Sequence, residues 1–262
     1  MNRSIRFLIA TGCLSAITAG LVPGCADNNS TLFIIGVLKP QSPPTCTVLA
    51  DLTQPMLLSG VLDVAIRYSY EAVLLVGNQF TPRGQKQNLK IETTRVNLRG
   101  AEITLSDSAG NTVDSFSVGG SGFVDTNNGD APGLGLFAAD LIPASVGEKL
   151  KSRYPALGTL GGSTTLYSNT RVFGDSLGNT SVTSGALSYP IVVCNGCLVS
   201  FPVDAIDTSQ NNACVKDVIS TPTAPCLVGQ DDPVDCRLCS TESVTCLCGG
   251  DAACQAANGG GP

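Results

Sequence analysis

The chain has 262 residues with 15 basic and 21 acidic side chains, a formal net charge of −6, and no histidine. An acidic chain without a basic tract is a poor nucleic-acid binder, because that binding depends on neutralising phosphates. Without histidine the chain also lacks the usual general base, the Ser-His and Cys-His nucleophile pairs and the commonest transition-metal ligand. We therefore predict a protein that is not an enzyme, that requires no cofactor and that does not bind nucleic acid.

Residues 1–24 have the pattern of an export signal. Arg3 and Arg6 come first, an uncharged, largely apolar stretch runs from Phe7 to Ala19, and the polar residues 26–30 follow the end of the signal. The apolar stretch is short for a bilayer span of about 20 residues, and no cluster of lysine or arginine follows it. The sequence therefore predicts a cleaved signal rather than a membrane-spanning helix.

The motif Val22-Pro23-Gly24-Cys25 resembles the lipobox of bacterial lipoproteins, in which the cysteine is lipidated and becomes the mature N-terminus. The motif departs from the commonest pattern at Pro23. A rival match ends at Cys13 but leaves an apolar region too short to act as a signal, and an ordinary secretory signal is the other alternative. The resemblance implies that Cys25 is the lipidation site and that residues 25–30 form a lipidated tether, held at the membrane by two or three acyl chains.

The residue after the lipobox cysteine bears on the membrane. In Gram-negative lipoproteins an aspartate at this position retains the protein at the inner membrane, and here it is Ala26. The resemblance thus implies an outer-membrane lipoprotein with a structural or partner-binding role in the cell envelope. The general layout of the chain is also similar to that of uncharacterised outer-membrane lipoproteins of soil-dwelling Gram-negative bacteria, a likeness that implies no site.

The cysteines predict disulfide bonds. Of the 12, Cys13 lies in the signal and Cys25 would carry lipid, which leaves an even number of ten. Exported chains meet oxidising compartments, so five bridges are expected. The candidates are Cys46, Cys194, Cys197, Cys214, Cys226, Cys236, Cys239, Cys246, Cys248 and Cys254. We expect Cys46, which stands apart from the other nine, to pair with Cys194 or Cys197, because these two end the last strand of the body.

The sequence pattern over residues 31–193 predicts an all-β body. Short apolar or alternating segments separated by turn residues are typical of an antiparallel β-sandwich, immunoglobulin-like or related. One short helix is expected to begin at Ser145, which would form a capping box with Glu148, and to end near Tyr154. The predicted strands cover Thr31–Leu38, an alternating run from Leu62 to Tyr70 continued by Ala72–Val76, Val96–Arg99 with Ile103–Leu105, Val113–Val118 after a turn at 107–111, 164–173 and 182–193.

Residues 194–262 predict a loop-dominated, disulfide-rich region. They carry eight acidic and two basic side chains. Two Cys-x-x-Cys units, Cys194 with Cys197 and Cys236 with Cys239, leave a zinc or thiol–disulfide protein as an alternative function. Disulfides are favoured, because the 38 residues between the units exceed the usual zinc-site spacing and include two further cysteines.

Two further segments suggest ligands. Asp125, Asn127, Asn128 and Asp130 offer side-chain oxygens in a glycine-bearing turn, which makes a calcium-dependent binding module a second alternative, although no EF-hand glutamate follows. Five basic residues could contact anionic lipid head groups, although a solvated loop and strand face is the favoured explanation: Arg83, Lys86, Lys90, Arg95 and Arg99.

Overall fold

The computed structural model describes residues 31–84, 92–127, 129, 131–214, 222–238, 248 and 253–254, and over residues 31–214 of this part the protein is an all-β structure with one α-helix, α1 (Ala144–Arg153). The strands are β1 (Leu32–Leu38), β2 (Met56–Leu57), β3 (Gly60–Asp63), β4 (Tyr70–Asn78), β5 (Val96–Asp107), β6 (Thr112–Val124), β7 (Gly133–Ile142), β8 (Ser163–Ser176), β9 (Ser181–Thr183), β10 (Leu187–Cys194), β11 (Val199–Ser200), β12 (Ile206–Asp207), β13 (Ala213–Cys214) and β14 (Val234–Asp235). Short 3-10 turns cover Pro155–Gly158, Val203–Ala205, Thr208–Gln210 and Cys236–Leu238.

Two sheets enclose one core, which confirms the predicted sandwich-like body. One sheet has the strand order β2-β1-β4-β7, and the other has the order β3-β10-β8-β5-β6 with β9 beside β8. Neighbouring strands of the two sheets are antiparallel except β3, which lies parallel to β10. In its described residues the C-terminal region adds the two-residue pairs β11 with β14 and β12 with β13, as expected for a loop-dominated extension.

The core follows the two-residue periodicity of the strands. On β4, Tyr70, Ala72, Leu74 and Val76 point into the core. On β5 the buried positions are Val96 and Leu98 and then Ala101, Ile103 and Leu105, because a register shift between Leu98 and Gly100 changes the phase of the alternation. A side chain at Gly100 would meet the Phe173 ring and the Val118 carbonyl at 2.6 Å, so only glycine fits this bulge.

The alternating run at residues 62–70 is not one strand, which corrects the prediction. Strand β3 ends at Asp63, a turn follows, and β4 begins at Tyr70. The Asp63 carboxylate accepts the N–H of Ala65 at 2.9 Å, and the Asp63 carbonyl accepts those of Ile66 and Arg67 at 3.0 and 2.9 Å. The alternation of polar and apolar residues therefore belongs partly to a turn that the aspartate stabilises.

Helix α1 lies where it was predicted, but it has no capping box. Its N-cap is Pro143 with no side-chain hydrogen bond, so Ser145 stands within the first turn rather than at the cap. Val146 and Leu150 bury one face of the helix in the core. The N–H of Tyr154 bonds the Leu150 carbonyl at 2.8 Å, and Pro155 ends the helix. Within the described parts of the chain, no helix has the length and apolar character to cross a membrane.

Candidate functional site

The predicted lipidation site, Cys25, and the whole segment 1–30 lie outside the described residues. The site described below belongs to the body. It is built from the two sheets, from one loop that follows β1 and from one loop of the C-terminal region.

Cys46 is bonded to Cys226, 180 residues away, and not to Cys194 or Cys197 as expected. The expected partners are bonded to each other across a separation of three residues. The loop at 222–232 folds back across the body, where the Lys39 ammonium lies 2.8 Å from the Asp232 carboxylate. This return of the tail places Cys226 beside the loop after β1, and the end of β10 forms its own closed loop instead.

Two more bridges join described cysteines, Cys214 with Cys236 and Cys248 with Cys254. The remaining predicted candidates, Cys239 and Cys246, lie outside the described residues. Because the sulfur of Cys236 is bonded to Cys214, the second Cys-x-x-Cys unit does not present two free thiolates to a metal. The eight described cysteines of the body and tail therefore form four disulfides.

The first Cys-x-x-Cys unit surrounds a buried carboxylate. Ligand atoms of Asp63, Cys194 and Cys197 lie within 4.8 Å of one another. The carboxylate, however, accepts the Gly196 and Leu198 N–H groups at 2.7 and 2.9 Å besides its bond within the turn. Since the two sulfurs are joined and the carboxylate oxygens are occupied by backbone donors, this arrangement fastens β3 to the loop after β10.

In the predicted calcium loop, the carboxylate of Asp125 forms an ion pair within the chain. The guanidinium of Arg95 lies 2.8 Å from the Asp125 carboxylate and 4.7 Å from the centre of the Phe123 ring. Asn127 is described, whereas Asn128 and Asp130 lie outside the described residues. The charge of Asp125 is therefore balanced by a residue of this chain.

The same ion pair bears on the predicted basic segment. Arg95 pairs with Asp125, and Arg99 lies 2.7 Å from the Asp175 carboxylate. Arg83 is exposed, whereas Lys86 and Lys90 lie outside the described residues. Two of the five basic side chains proposed for anionic lipid thus already have acidic partners.

A groove of about 380 Å³ is the candidate site that sequence reasoning missed. Strands β1, β4, β6 and β7 and the two loops joined by the Cys46–Cys226 disulfide contribute to it. Its apolar lining includes Leu38, Val73 and Ala138, which stand in one cross-strand row. This size lies within the usual range for small-molecule sites, which are mostly apolar with few polar groups.

Two carboxylates face each other across strands at one end of this lining. Glu71 and Asp140 are direct partners in the β4–β7 register. The Arg67 guanidinium pairs with Glu71, while no described group forms a hydrogen bond or ion pair with Asp140. Partial desolvation and then the negative charge of Glu71 raise the pKa of Asp140 from its ordinary value, although the charge of Arg67 acts to lower it. None of the described lysines or arginines lines the groove.

The end of the groove is fixed by a buried polar cluster. Asp231 accepts the Val61 N–H at 2.8 Å and the Tyr70 hydroxyl at 3.1 Å, and the Tyr70 oxygen lies 3.0 Å from that of Tyr189. Burial raises the pKa of the Asp231 carboxyl, despite its hydrogen bonds, and burial likewise raises the pKa values of both tyrosines. The residue before Asp231 in the tail, Gln230, forms hydrogen bonds with the backbone of Glu71.

No local pattern marks the groove residues in the sequence. Tyr70 and Glu71 appear there only as part of an alternating run, and Asp140, Gln230 and Asp231 belong to no motif. They meet because β4 pairs with β7 and because the tail returns to the start of β4. Contacts of this kind depend on the tertiary fold, so the sequence gives no signal for them.

Comparisons with known proteins supply no family. No family model matches the chain, and no curated protein matches it. Among solved structures, the solution structure of a late embryogenesis abundant protein matches with a TM-score of 0.28 and 8% identity, covering 52% of this chain and 71% of that chain. A likeness this slight carries no argument about fold or function.

Proposed function

We propose that this protein is a non-enzymatic, lipid-anchored lipoprotein of the bacterial outer membrane, whose body binds a ligand or partner in the groove. The acyl chains would be carried by Cys25, and residues 26–30 would connect the membrane to β1. The groove between the sheets and the tail is the single observation that carries the binding role.

The anchor is supported by the sequence at the N-terminus. Arg3 and Arg6, the apolar stretch after them and the lipobox-like Val22 to Cys25 form the pattern of a lipoprotein signal. Ala26 favours the outer membrane over the inner one. Each buried methylene contributes about 0.8 kcal/mol to membrane binding, so two or three acyl chains anchor a protein stably whereas a single chain binds reversibly.

Export is supported by the state of the cysteines. The four disulfides among the described residues include one between loops 180 residues apart. Such bonds form and persist in the periplasm and at cell surfaces, and they are rare in the reducing cytosol. A disulfide-stabilised body therefore fits a chain that leaves the cytoplasm.

The binding role is supported by the composition of the groove. Its walls are mainly apolar, and the exposed carboxylates of Glu71 and Asp140 stand side by side on neighbouring strands at its edge. Apolar surface left open in a concave site with a few charged groups at its edge is typical of ligand-binding sites.

The anchor is tested by mass spectrometry of the mature N-terminus after expression in a Gram-negative host. We expect the unaltered chain to begin at Cys25 with acyl chains attached, and Cys25→Ser to remain uncleaved and without lipid. Cys13→Ser is the matched control, because Cys13 ends the rival motif, and it should be processed normally. A mature N-terminus at another residue, or acylation that survives Cys25→Ser, would contradict the proposal.

A further inference from the structure

We infer that the groove binds an aliphatic amine, with its ammonium group between Glu71 and Asp140 and its hydrocarbon chain along Leu38, Val73 and Ala138. This inference rests on the proposed binding role of the groove and names the chemical class of its ligand. It is carried by the register of the sheet, by the balance of charge at one end of the groove and by the apolar row beside it.

The charge at this end of the groove favours a cation. Glu71 and Asp140 stand opposite each other on neighbouring strands, and like charges in this position repel. Arg67 forms an ion pair with Glu71 and its charge also acts to lower the pKa of Asp140, so one arginine serves two exposed carboxylates and the group keeps a net negative charge. A ligand ammonium at this place would relieve the repulsion and form charge-assisted hydrogen bonds with Asp140.

The strand geometry provides a path for the hydrocarbon. Residues two apart on a strand share a face, so Val73 follows Glu71 and Ala138 precedes Asp140 on the same side of the sheet. Leu38 of β1 completes this second row as the partner of Val73. The row of Glu71 and Asp140 lies about 7 Å from the row of Val73 and Ala138. An alkyl chain of about five or six carbons, attached to an ammonium in the first row, reaches the far side of the second row.

The two loops joined by the Cys46–Cys226 disulfide also line the groove beside this apolar row. Cys46 and Val48 from one loop and Cys226 and Leu227 from the other also line the groove. The chain of an amine would therefore contact apolar groups of the loops as well as of the sheet. A carboxylate in place of the ammonium would meet two acids, and a hydroxyl would forgo the charge interaction.

The inference is tested with n-octylamine, n-octanol and n-octanoate as probes of equal chain length. Binding to the purified full chain, with its disulfides intact, is measured near neutral pH by calorimetric titration and by saturation-transfer NMR. We expect octylamine to bind in the millimolar range and the other two probes at least about tenfold more weakly, the difference that one charge-assisted contact provides. Equal binding of octylamine and octanol, or no binding of octylamine, would overturn the inference.

Variants locate the site. Asp140→Asn should weaken octylamine binding by about tenfold and leave octanol binding unchanged. The matched control is Asp114→Asn on β6, an exposed aspartate outside the groove, which should bind octylamine as the unaltered chain does. Ala138→Leu, which narrows the apolar row, should weaken all three probes. Undiminished octylamine binding by Asp140→Asn would overturn the assignment, whereas the lipidation state of Cys25 is unaffected by either result and tests the anchor separately.

Discussion

The side-chain amide of Gln230 bonds both backbone groups of Glu71, accepting the N–H at 3.0 Å and donating to the carbonyl at 2.6 Å across a separation of 159 residues. The amide thus takes the place that a neighbouring strand would take beside the first residues of β4. The tail is thereby held against the sheet at the acidic end of the groove, and the groove exists only while the tail stays there.

Replacement of Gln230 should loosen the tail. Gln230 is 3% exposed, and Gln230→Ala removes the partner of two backbone groups of Glu71 that lie in partly buried surroundings. We expect a loss of about 1–3 kcal/mol in the free energy of unfolding, measured by urea denaturation. Gln54→Ala is the control, because the Gln54 side chain accepts only one exposed N–H, that of Leu49, and it should cost less than about 1 kcal/mol.

We predict that the Cys46–Cys226 and Cys194–Cys197 disulfides contribute unequally to the free energy of unfolding. The Cys46–Cys226 bond closes a loop of 180 residues, for which the chain-entropy model gives about 5 kcal/mol, whereas the three-residue separation of Cys194 and Cys197 gives about 2 kcal/mol. Double serine variants of each pair should therefore differ in urea midpoint, with the Cys46/Cys226 variant the less stable. A larger loss in the Cys194/Cys197 variant would show that strain or residual structure, not loop length, governs these bonds.

Asp63 should be the most sensitive acidic residue of the body. Its carboxylate is fully buried and accepts N–H groups from Ala65, Gly196 and Leu198. In Asp63→Asn an amide group would face at least one of these donors, so we expect a loss of about 2–4 kcal/mol. Thermal unfolding compared with Asp114→Asn checks this, and equal melting temperatures would contradict the role assigned to Asp63.

Glu92 predicts a loss of stability in acid. Burial acts to raise its pKa, but hydrogen bonds from Thr94, Gly84 and Arg83 outweigh burial and lower the pKa from 4.5 to about 2. A depressed pKa in the folded state contributes stability above the unfolded pKa, and this contribution is lost as the pH falls from about 4.5 through 2. Glu92→Gln should therefore lose stability less steeply than the unaltered chain over this range. Parallel curves of unfolding free energy against pH would contradict the prediction.

Asp140→Asn should leave the fold intact and raise its stability slightly. The substitution removes the repulsion between Asp140 and Glu71, a gain of up to about 0.5 kcal/mol that should be largest at low ionic strength and fade as salt screens the charges. Melting temperatures at low and high salt measure it. A destabilised Asp140→Asn would mean that this carboxylate contributes to the fold rather than to binding.

Local patterns were sufficient where a strand or helix pairs with what is near it in sequence. The β5–β6 hairpin turns at Asp107–Thr112 within the predicted turn region, because Asp107 accepts the N–H groups of Ala109 and Asn111. The helix ends at Arg153, directly before Tyr154 and Pro155, as predicted. In these segments the residues that determine the structure are also those that form it.

Patterns failed where a distant segment decides the outcome. The partner of Cys46 could not be predicted, because it depends on Lys39 meeting Asp232 and on Gln230 meeting Glu71, contacts between segments at least 159 residues apart. The run at 62–70 was misassigned because a strand face and an aspartate-stabilised turn have the same alternation in sequence. The groove was missed because its residues, too, come from segments that are distant in the sequence.

The direction of β1 sets the reach of a tethered protein. β1 enters the sheet at Leu32 opposite Asn78 and leaves it at Leu38 opposite Val73, beside the groove. Seven extended residues carry the chain about 20 Å, and the tether proposed for residues 25–30 adds up to about 20 Å. An anchor at Cys25 would therefore present the groove at the end of β1 remote from the bilayer, sampling the aqueous space above the membrane rather than the lipid itself.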